Sequence, residues 1–534
     1  MGIYWNPGPV GFRQSLNSEI YVDKSGMIAY LNKVINTEMR YVCVSRPRRF
    51  GKTMAAKMIA AYYDRSVNQE ELFQGLTISR EQTFSSHAGK YDVLKINVQE
   101  FLSMKGSIAD TLKSMTRILC KDLQRIYPEI EQDMPDNLAF TMKQVFFETG
   151  RSFVIVIDEW DCIFREFRED KTQQEVYLDF LRSWLKDQSY VGLAYMTGIL
   201  PIKKYGTHSA LNMFAEFSMT GAEELATYVG FTEKEVKDLC ARFHMDFTET
   251  QAWYDGYRLR ATLLPPWHHG IRYCDIEIYS PRSVVSSMLS GQCKGYWNQT
   301  ETFEALRIYI DMNFDGLKDV VLALMAGGRQ EIDVRGFTND MVTFESYQDV
   351  LTLLIHLGYL GYDSETKEVF IPNRELMDEF VTATTRSDWT EIIHSVQASK
   401  RLLSATWNGD AEAVARGIED AHFETSHIQY NNENALSYVL SLAYYAARQY
   451  YHIVRELPTG KGFADMVFIP RRKYRDKPAM IVELKWDKSA DTAIRQIKEK
   501  RYDHTLKDWQ GEMLLVGISY DRKTRKHRCL LERR

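Results

Sequence analysis

The stretch YVCVSRPRRFGKT, residues 41–53, decides the fold. Its first part, Tyr41 to Ser45, is an apolar, β-branched run of the kind that fills a buried strand, and Arg46-Pro47 ends it. From Thr53 the sequence TMAAKMIAAYYD has helical character. Strand, loop and helix in that order put Gly51-Lys52-Thr53 at a helix N-terminus. There, backbone N–H groups, a lysine charge and a hydroxyl can hold phosphate and magnesium. Arg46 stands where such loops usually begin with glycine, so the loop needs a second element to support it.

That element lies 105 residues beyond Thr53, where the apolar run Phe153 to Ile157 ends in Asp158-Glu159. In open α/β sheets ligands gather at the carboxyl ends of the strands. Asp158 is placed to hold magnesium, directly or through water, and Glu159 to orient or deprotonate an attacking water. Further strands fit Asp92 to Val98 and Gly192 to Met196, with a helix over Ile108 to Arg125, and this alternation predicts a largely parallel sheet. Thr197, after the last of these runs, either senses a γ-phosphate or begins a turn with Gly198. Arg46, Arg48 and Arg49 flank Phe50 in the loop and are open to two roles, phosphate contact or donation to a neighbouring copy's site.

Beyond the nucleotide region the chain of 534 residues is long enough for about three domains. Hydrophobic residues make up 45% and charged residues 26%, without a low-complexity tract, so the chain is expected to fold nearly throughout. Seven cysteines stand singly, which points away from zinc or disulfide frameworks and towards reduced thiols. Met1 to Gln14 lack a secretory pattern and no run reaches the roughly 18 apolar residues of a membrane span. A cytoplasmic protein without a membrane partner is therefore expected. The net charge of −5 hides an asymmetry: residues 471–534 hold 19 Lys and Arg against 10 Asp and Glu. A basic end attracts polyanions, or it is a solvated face with no partner.

From about Ala222 the pattern reads as helical, with a turn-rich break over Pro265 to Gly270. A helix from Ser346 to Gly358 precedes a hairpin, Tyr359 to Ile371, turning near Asp363-Ser364-Glu365. A helical region follows from Trp389 to Tyr451. The C-terminal part returns to strands at Phe463 to Ile469, Ala479 to Lys485 and Met513 to Ser519, with a helix over Ala490 to Tyr502. On the second of these strands Glu483 and Lys485 share a face while Val482 and Leu484 point inward. Asp465 sits on the strand before, 18 residues upstream of Glu483. Acids paired with an amine suit metal-dependent phosphodiester chemistry, although such pairs also decorate surfaces.

Taken together, these segments resemble bacterial AAA-ATPase-like proteins that carry a C-terminal PD-(D/E)xK nuclease-like domain. The resemblance is carried by Tyr21-Val22-Asp23-Lys24, by Arg46 to Thr53 with its leading arginine, and by Asp158-Glu159. It continues through Trp253 to Arg258, Tyr279 to Val284, Leu357 to Leu360 and Ile371 to Glu375. Arg282 and Ser280 depart from the pattern, where relatives often show Trp and Asn. The nuclease-like end is carried by Glu433, Glu456 before Gly460-Lys461-Gly462, Asp465, Glu483, Lys485, and Gln496 with Lys498 and Tyr502. The resemblance implies that Asp465 and Glu483 are metal ligands, Lys485 activates water, Glu433 is an accessory acid and Gln496 a positioning residue.

The expected fold is α/β: an N-terminal P-loop NTPase parallel sheet (residues 1–220), a helical, winged-helix-like middle (221–385) and a C-terminal α/β PD-(D/E)xK nuclease-like domain (386–534). The expected function is ATP binding at Arg48, Arg49, Phe50, Gly51, Lys52, Thr53, Asp158 and Thr197, with magnesium on Thr53 and Asp158. Hydrolysis would regulate a nuclease-like site using magnesium or manganese on DNA or RNA. Two rivals stand beside it: an ATP-driven switch whose nuclease fold only binds nucleic acid, and a signalling ATPase that meets a protein partner through its helical middle. Self-association is left open.

Overall fold

The computed structural model describes residues 2–102, 107–202, 211–262, 273–297, 304–311, 316–325, 327–338, 341, 344–385, 390–424, 440, 443, 444, 446, 447, 450–459, 462–471, 474–499, 509 and 511–534. The chain divides into two compact units, the first of residues 1–300 and 331–376, the second of residues 301–330 and 377–534.

In the first unit, strand β1 (Tyr41–Ser45) is buried along its whole length and leads through the loop into helix α1 (Lys52–Tyr63). Strand β2 (Asp92–Asn97), helix α2 (Ile108–Ile126), strand β3 (Phe153–Asp158), the short helix α3 (Cys162–Glu166) and strand β4 (Val191–Gly198) follow. Ser107 caps α2 by accepting the Asp110 N–H at 3.2 Å. Strand β5 (Ala215–Phe217) completes a five-stranded sheet of order β2-β3-β4-β1-β5, in which every pairing is parallel. Strands covered on both faces must be largely apolar, as β1, β3 and β4 are up to Ser45, Asp158 and Thr197 at their carboxyl ends.

After Ala222 the expected helical character holds over Glu233–Phe243 and Phe247–Tyr254, but a sheet is interleaved with it. Strands β6 (Phe231–Thr232), β7 (Tyr257–Thr262) and β8 (Tyr273–Tyr279) form a three-stranded antiparallel sheet of order β6-β8-β7. In β7 the alternation is plain in burial, with Tyr257, Leu259 and Ala261 inside and Arg258 and Arg260 facing outward. The expected break over Pro265 to Gly270 lies outside the described residues. Helix α4 (Pro281–Ser290) follows, with proline in its first turn. Helix α5 (Tyr347–Leu357) has a capping box from Ser346 and Asp349 and ends at Gly358, and the strands Gly361–Asp363 and Glu368–Phe370 make the expected hairpin.

The second unit holds helices α6 (Thr390–Asn408) and α7 (Ala411–Glu424) and a mixed sheet. Its strands are β9 (Tyr451–Thr459), β10 (Gly462–Pro470), β11 (Ala479–Trp486), β12 (Met513–Asp521) and β13 (Lys526–Arg533), adjacent in that order. Only β11 and β12 run parallel, joined through helix α8 (Ala490–Glu499). Leu402, Val414 and Ile418 pack with Phe468, Val482, Leu484 and Ile518 on one face, while Ile494 and Ile497 of α8 pack with Val467, Ile481 and Leu515 on the other. Helices therefore cover both faces. The expected helical region is described over Thr390–Asn408 and Ala411–Glu424, residues 425–439 lie outside the described residues, and Tyr451, its expected end, opens an edge strand. An edge position tolerates Pro458, which a central strand would not. No helix among the described residues is long and apolar enough to cross a membrane.

Candidate nucleotide and metal sites

Sheet register brings the first site together. At the carboxyl ends of the strands Asn97 pairs with Asp158, Asp158 with Thr197, Thr197 with Val44, and Val44 with Phe217. The loop Arg46 to Gly51 leaves β1 at this edge. Gly51 has φ +95°, and nothing stands within 4 Å of where a Cβ would project, so the backbone is left-handed and open to close approach. Lys52 is buried, and its Nζ donates to the carbonyls of Arg46 at 3.0 Å and Pro47 at 2.8 Å. Burial pulls its pKa below the usual lysine range, against the charges of Glu159, Asp161 and Asp158.

Asp158 is fully buried. Its Oδ1 accepts the Glu159 N–H at 3.1 Å, and its Oδ2 has no hydrogen-bond partner among the described residues. Burial raises its pKa, with the Thr53 hydroxyl and the Lys52 charge working in the opposite direction. Glu159 leaves the strand with φ +54°, a conformation that costs a residue with a side chain about 1–3 kcal/mol. Arg165 donates through Nη2 to Glu159 Oε2, and its Nε lies 3.4 Å from Asp161 Oδ2. Asp161 is itself fixed, accepting the N–H groups of Ile199 at 3.1 Å and Leu200 at 2.9 Å. Burial would lower the pKa of Arg165, but the Asp161 and Glu159 carboxylates raise it.

A cavity of about 580 Å³ opens beside the loop. Arg48 to Thr53 and Glu159 line one end, while Phe12, Val22, Met58, Phe231 and Val285 give it an apolar wall. Lys24 and Arg282 also border it. Lys24 is committed to Glu235 Oε2 at 2.6 Å and the Thr227 carbonyl at 2.8 Å. One charged end and one apolar end match the two halves of a nucleotide.

Arg46 lies off the cavity, and Arg49 and Phe50, which line it, are also tied to the neighbouring structure. Arg46 is fully buried and runs under the loop, with Nη1 donating to the carbonyls of Ser45 at 2.9 Å and Phe217 at 2.8 Å. Burial pushes its pKa down to about 10, and it does not line the cavity. Arg49 has φ +66° and donates through Nη1 to the Trp297 carbonyl at 3.0 Å. Phe50 packs edge-on against Tyr257, ring centroids 5.2 Å apart. Tyr257 Oη donates to the Gly358 carbonyl at 2.6 Å, and a Cβ on Gly358 would stand 2.6 Å from Pro47 Cβ. Thr197 is buried in the terminal row, with its hydroxyl donating to the Val44 carbonyl at 3.0 Å. The sequence reading missed Arg165 and Asp161, although their spacing of four on a helix was a usable signal.

In the second unit the register of β10 with β11 pairs Met466 with Val482, the residues next in sequence to Asp465 and Glu483. Glu483 and Lys485 share a face of β11, as the spacing predicts. That face lies under α8 and is buried, with Glu483 1% and Lys485 7% exposed. Lys485 Nζ donates to Glu483 Oε1 at 2.9 Å and to the Leu484 carbonyl at 2.8 Å, and Gln496 of α8 donates to the same Glu483 oxygen. Among the described residues no group of three or more His, Cys, Asp or Glu side chains is gathered for a metal. Glu433, Lys461 and Tyr502 lie outside the described residues.

Residues 12–207 match the family AAA-ATPase_like, a predicted AAA-ATPase, and residues 432–529 match PDDEXK_9 of the PD-(D/E)XK nuclease superfamily. No curated protein matches the chain. Among solved structures it is similar to the ORC2 protein of Aeropyrum pernix in ADPNP-ADP complexes, at 10% identity and a TM-score of 0.31, over 69% of this chain and 98% of that one. It is also similar to the Aeropyrum pernix ORC1 protein in complex with DNA, at 10% identity and a TM-score of 0.24, over 89% of this chain and 96% of that one.

Proposed function

Because the chain joins an AAA-ATPase-like domain to a domain of the PD-(D/E)XK nuclease superfamily, we propose that it binds and hydrolyses ATP and that the nucleotide state controls metal-dependent cleavage of nucleic acid. The chain is divided into domains of residues 1–220, 221–385 and 386–534 and acts in the cytoplasm. The observation that carries the ATPase half is the buried Asp158 oxygen without a hydrogen-bond partner, on the same sheet edge as the open Gly51 backbone and beside Thr53. A buried carboxylate oxygen left without a donor suits a cation.

In this reading Lys52 exchanges two neutral carbonyl acceptors for phosphate oxygens, a charge-assisted contact. Arg48 and Arg49 add positive charge at the same end of the cavity, and Phe50 fixes the loop from behind. Thr53 and Asp158 hold magnesium, which when bound neutralises phosphate charge. Glu159, aimed by its left-handed backbone and by Arg165, orients and deprotonates water. Thr197 locks β4 to β1, so that Asp158 keeps its distance from the loop.

For the second unit, Asp465 and Glu483 supply two anionic ligands on adjacent strands, and the donor set suits magnesium or manganese. Lys485 and Gln496 both donate to Glu483 Oε1, which supports a fixed orientation of that carboxylate, and Lys485 is assigned the proton transfer that activates water. Glu433 is retained as an accessory acid. The test is incubation of the purified chain with duplex and single-stranded DNA and RNA, with and without ATP, and with magnesium or manganese. Cutting that requires metal and changes with nucleotide supports the proposal. Nucleotide-dependent binding without cutting under any metal favours the switch instead.

A further inference from the structure

The turn between β12 and β13 carries charge that neither site uses. Arg522, Lys523, Arg525, Lys526 and Arg528 fall within seven residues, all are exposed, and none forms a salt bridge among the described residues. Lys488, also exposed, lies one residue beyond Asp487, whose Oδ1 accepts the Arg522 N–H at 2.9 Å. The acids here are Asp487 and Asp521. Asp521 Oδ1 accepts the N–H groups of Lys523 at 2.8 Å and Thr524 at 3.0 Å. These bonds and nearby Arg528 hold its carboxyl below the usual range. Six cations against two acids, with the acids spent on holding the backbone, leave a rigid and strongly positive tip.

We propose that this turn is a docking surface for the phosphate backbone of duplex DNA. A turn whose backbone is already held loses less conformational freedom on binding than a loose tail, so that mainly the side chains are left to be ordered. A two-stranded ribbon fits the major groove of B-form DNA, whereas the deep, narrow major groove of A-form RNA excludes it. Trp486 and Tyr520, half-buried with ring centroids 4.8 Å apart, stiffen the base of the turn. Lys485 pairs with Ser519, three residues before Arg522. At about 3.3 Å per residue the turn begins roughly 10 Å along the strand from the Glu483–Lys485 pair. At about 3.4 Å of rise per base pair, a duplex held there lies roughly three base steps from Lys485. The inference rests on the reading of the second unit as a domain that acts on nucleic acid.

The test uses the full chain carrying Glu483→Gln, so that cutting does not disturb the measurement, with a labelled blunt DNA duplex of mixed sequence titrated at several salt concentrations. Lys523→Gln, Arg525→Asn and Lys526→Gln are added singly and together; asparagine suits position 525, which has φ +56°. Each loss is expected to weaken binding roughly tenfold near 0.1 M salt and to flatten the plot of log K against log salt by about 0.9. ATP turnover, read on the same preparations, is expected to stay unchanged, and the circular dichroism spectrum and thermal melt of each variant serve as the folding control for the second unit. Equal affinity and slope for parent and triple variant would overturn the inference while leaving the cleavage reading intact. Turn-dependent binding, with no cutting under any metal by the chain that keeps Glu483, would uphold the inference and overturn cleavage. Equal, turn-dependent binding of an RNA duplex would overturn the assignment to DNA, and no binding of any duplex at low salt would overturn both.

Discussion

Lys52 and Asp158 are opposite charges held in a dry place, and each is expected to reveal its role by what its removal does. Lys52→Ala removes a charge-assisted contact worth roughly 1.5–3 kcal/mol, so ATP affinity should fall by about one to two orders of magnitude in a folded protein. Unchanged affinity in a titration calorimeter would remove Lys52 from the site. Asp158→Asn leaves the shape and takes away a buried charge whose pKa burial has raised. The variant should unfold at a higher temperature than the parent while losing metal-dependent hydrolysis, a trade between stability and function. Glu159→Gln should bind ATP normally and turn over 10²- to 10⁴-fold more slowly. Arg165→Ala should also slow turnover, and in the Glu159→Gln background it should add nothing further. Additive losses in that double-mutant cycle would show that Arg165 acts elsewhere.

Elements separate what the sequence discloses from what it hides. The runs at Tyr41–Ser45 and Phe153–Asp158 are legible because burial on both faces forces a continuous apolar stretch, and Gly51-Lys52-Thr53 and Asp158-Glu159 are legible because they punctuate those runs. Strand β8 is not, since Asp275 and Glu277 alternate with Cys274 and Ile276, which are only partly buried, before Ile278 is buried. β13 is hidden in the same way by Lys526, Arg528 and Glu532. Arg46 was legible as an anomaly but not as a buried tie to Phe217, because that contact spans 171 residues. Bracing of the loop by Tyr257, Trp297 and Gly358 was equally invisible. It makes a prediction at this scale: Gly358→Ala forces a side chain into φ +87° and against Pro47. The unit should lose about 1–3 kcal/mol, read by chemical denaturation, and ATP affinity should fall with it although no ligand contact has changed.

At the scale of the whole molecule the two candidate sites stand in separate compact units, with Asp158 in one and Glu483 in the other. Asp465→Ala, Glu483→Ala and Lys485→Ala should each abolish or slow metal-dependent cutting while sparing basal ATP turnover, measured on the same preparations. If all three cut as well as the parent, the activity resides elsewhere. The brace of Pro47 by Gly358 has a bearing on synthesis. When the phosphate loop leaves the ribosome, the residue that steadies it lies more than 300 positions behind it in the queue, and at about 5–20 residues per second it arrives tens of seconds later. Through that interval the nascent sheet can form from its own strands. The loop, however, waits for its buttress, so nucleotide is captured firmly only by a chain translated past Gly358.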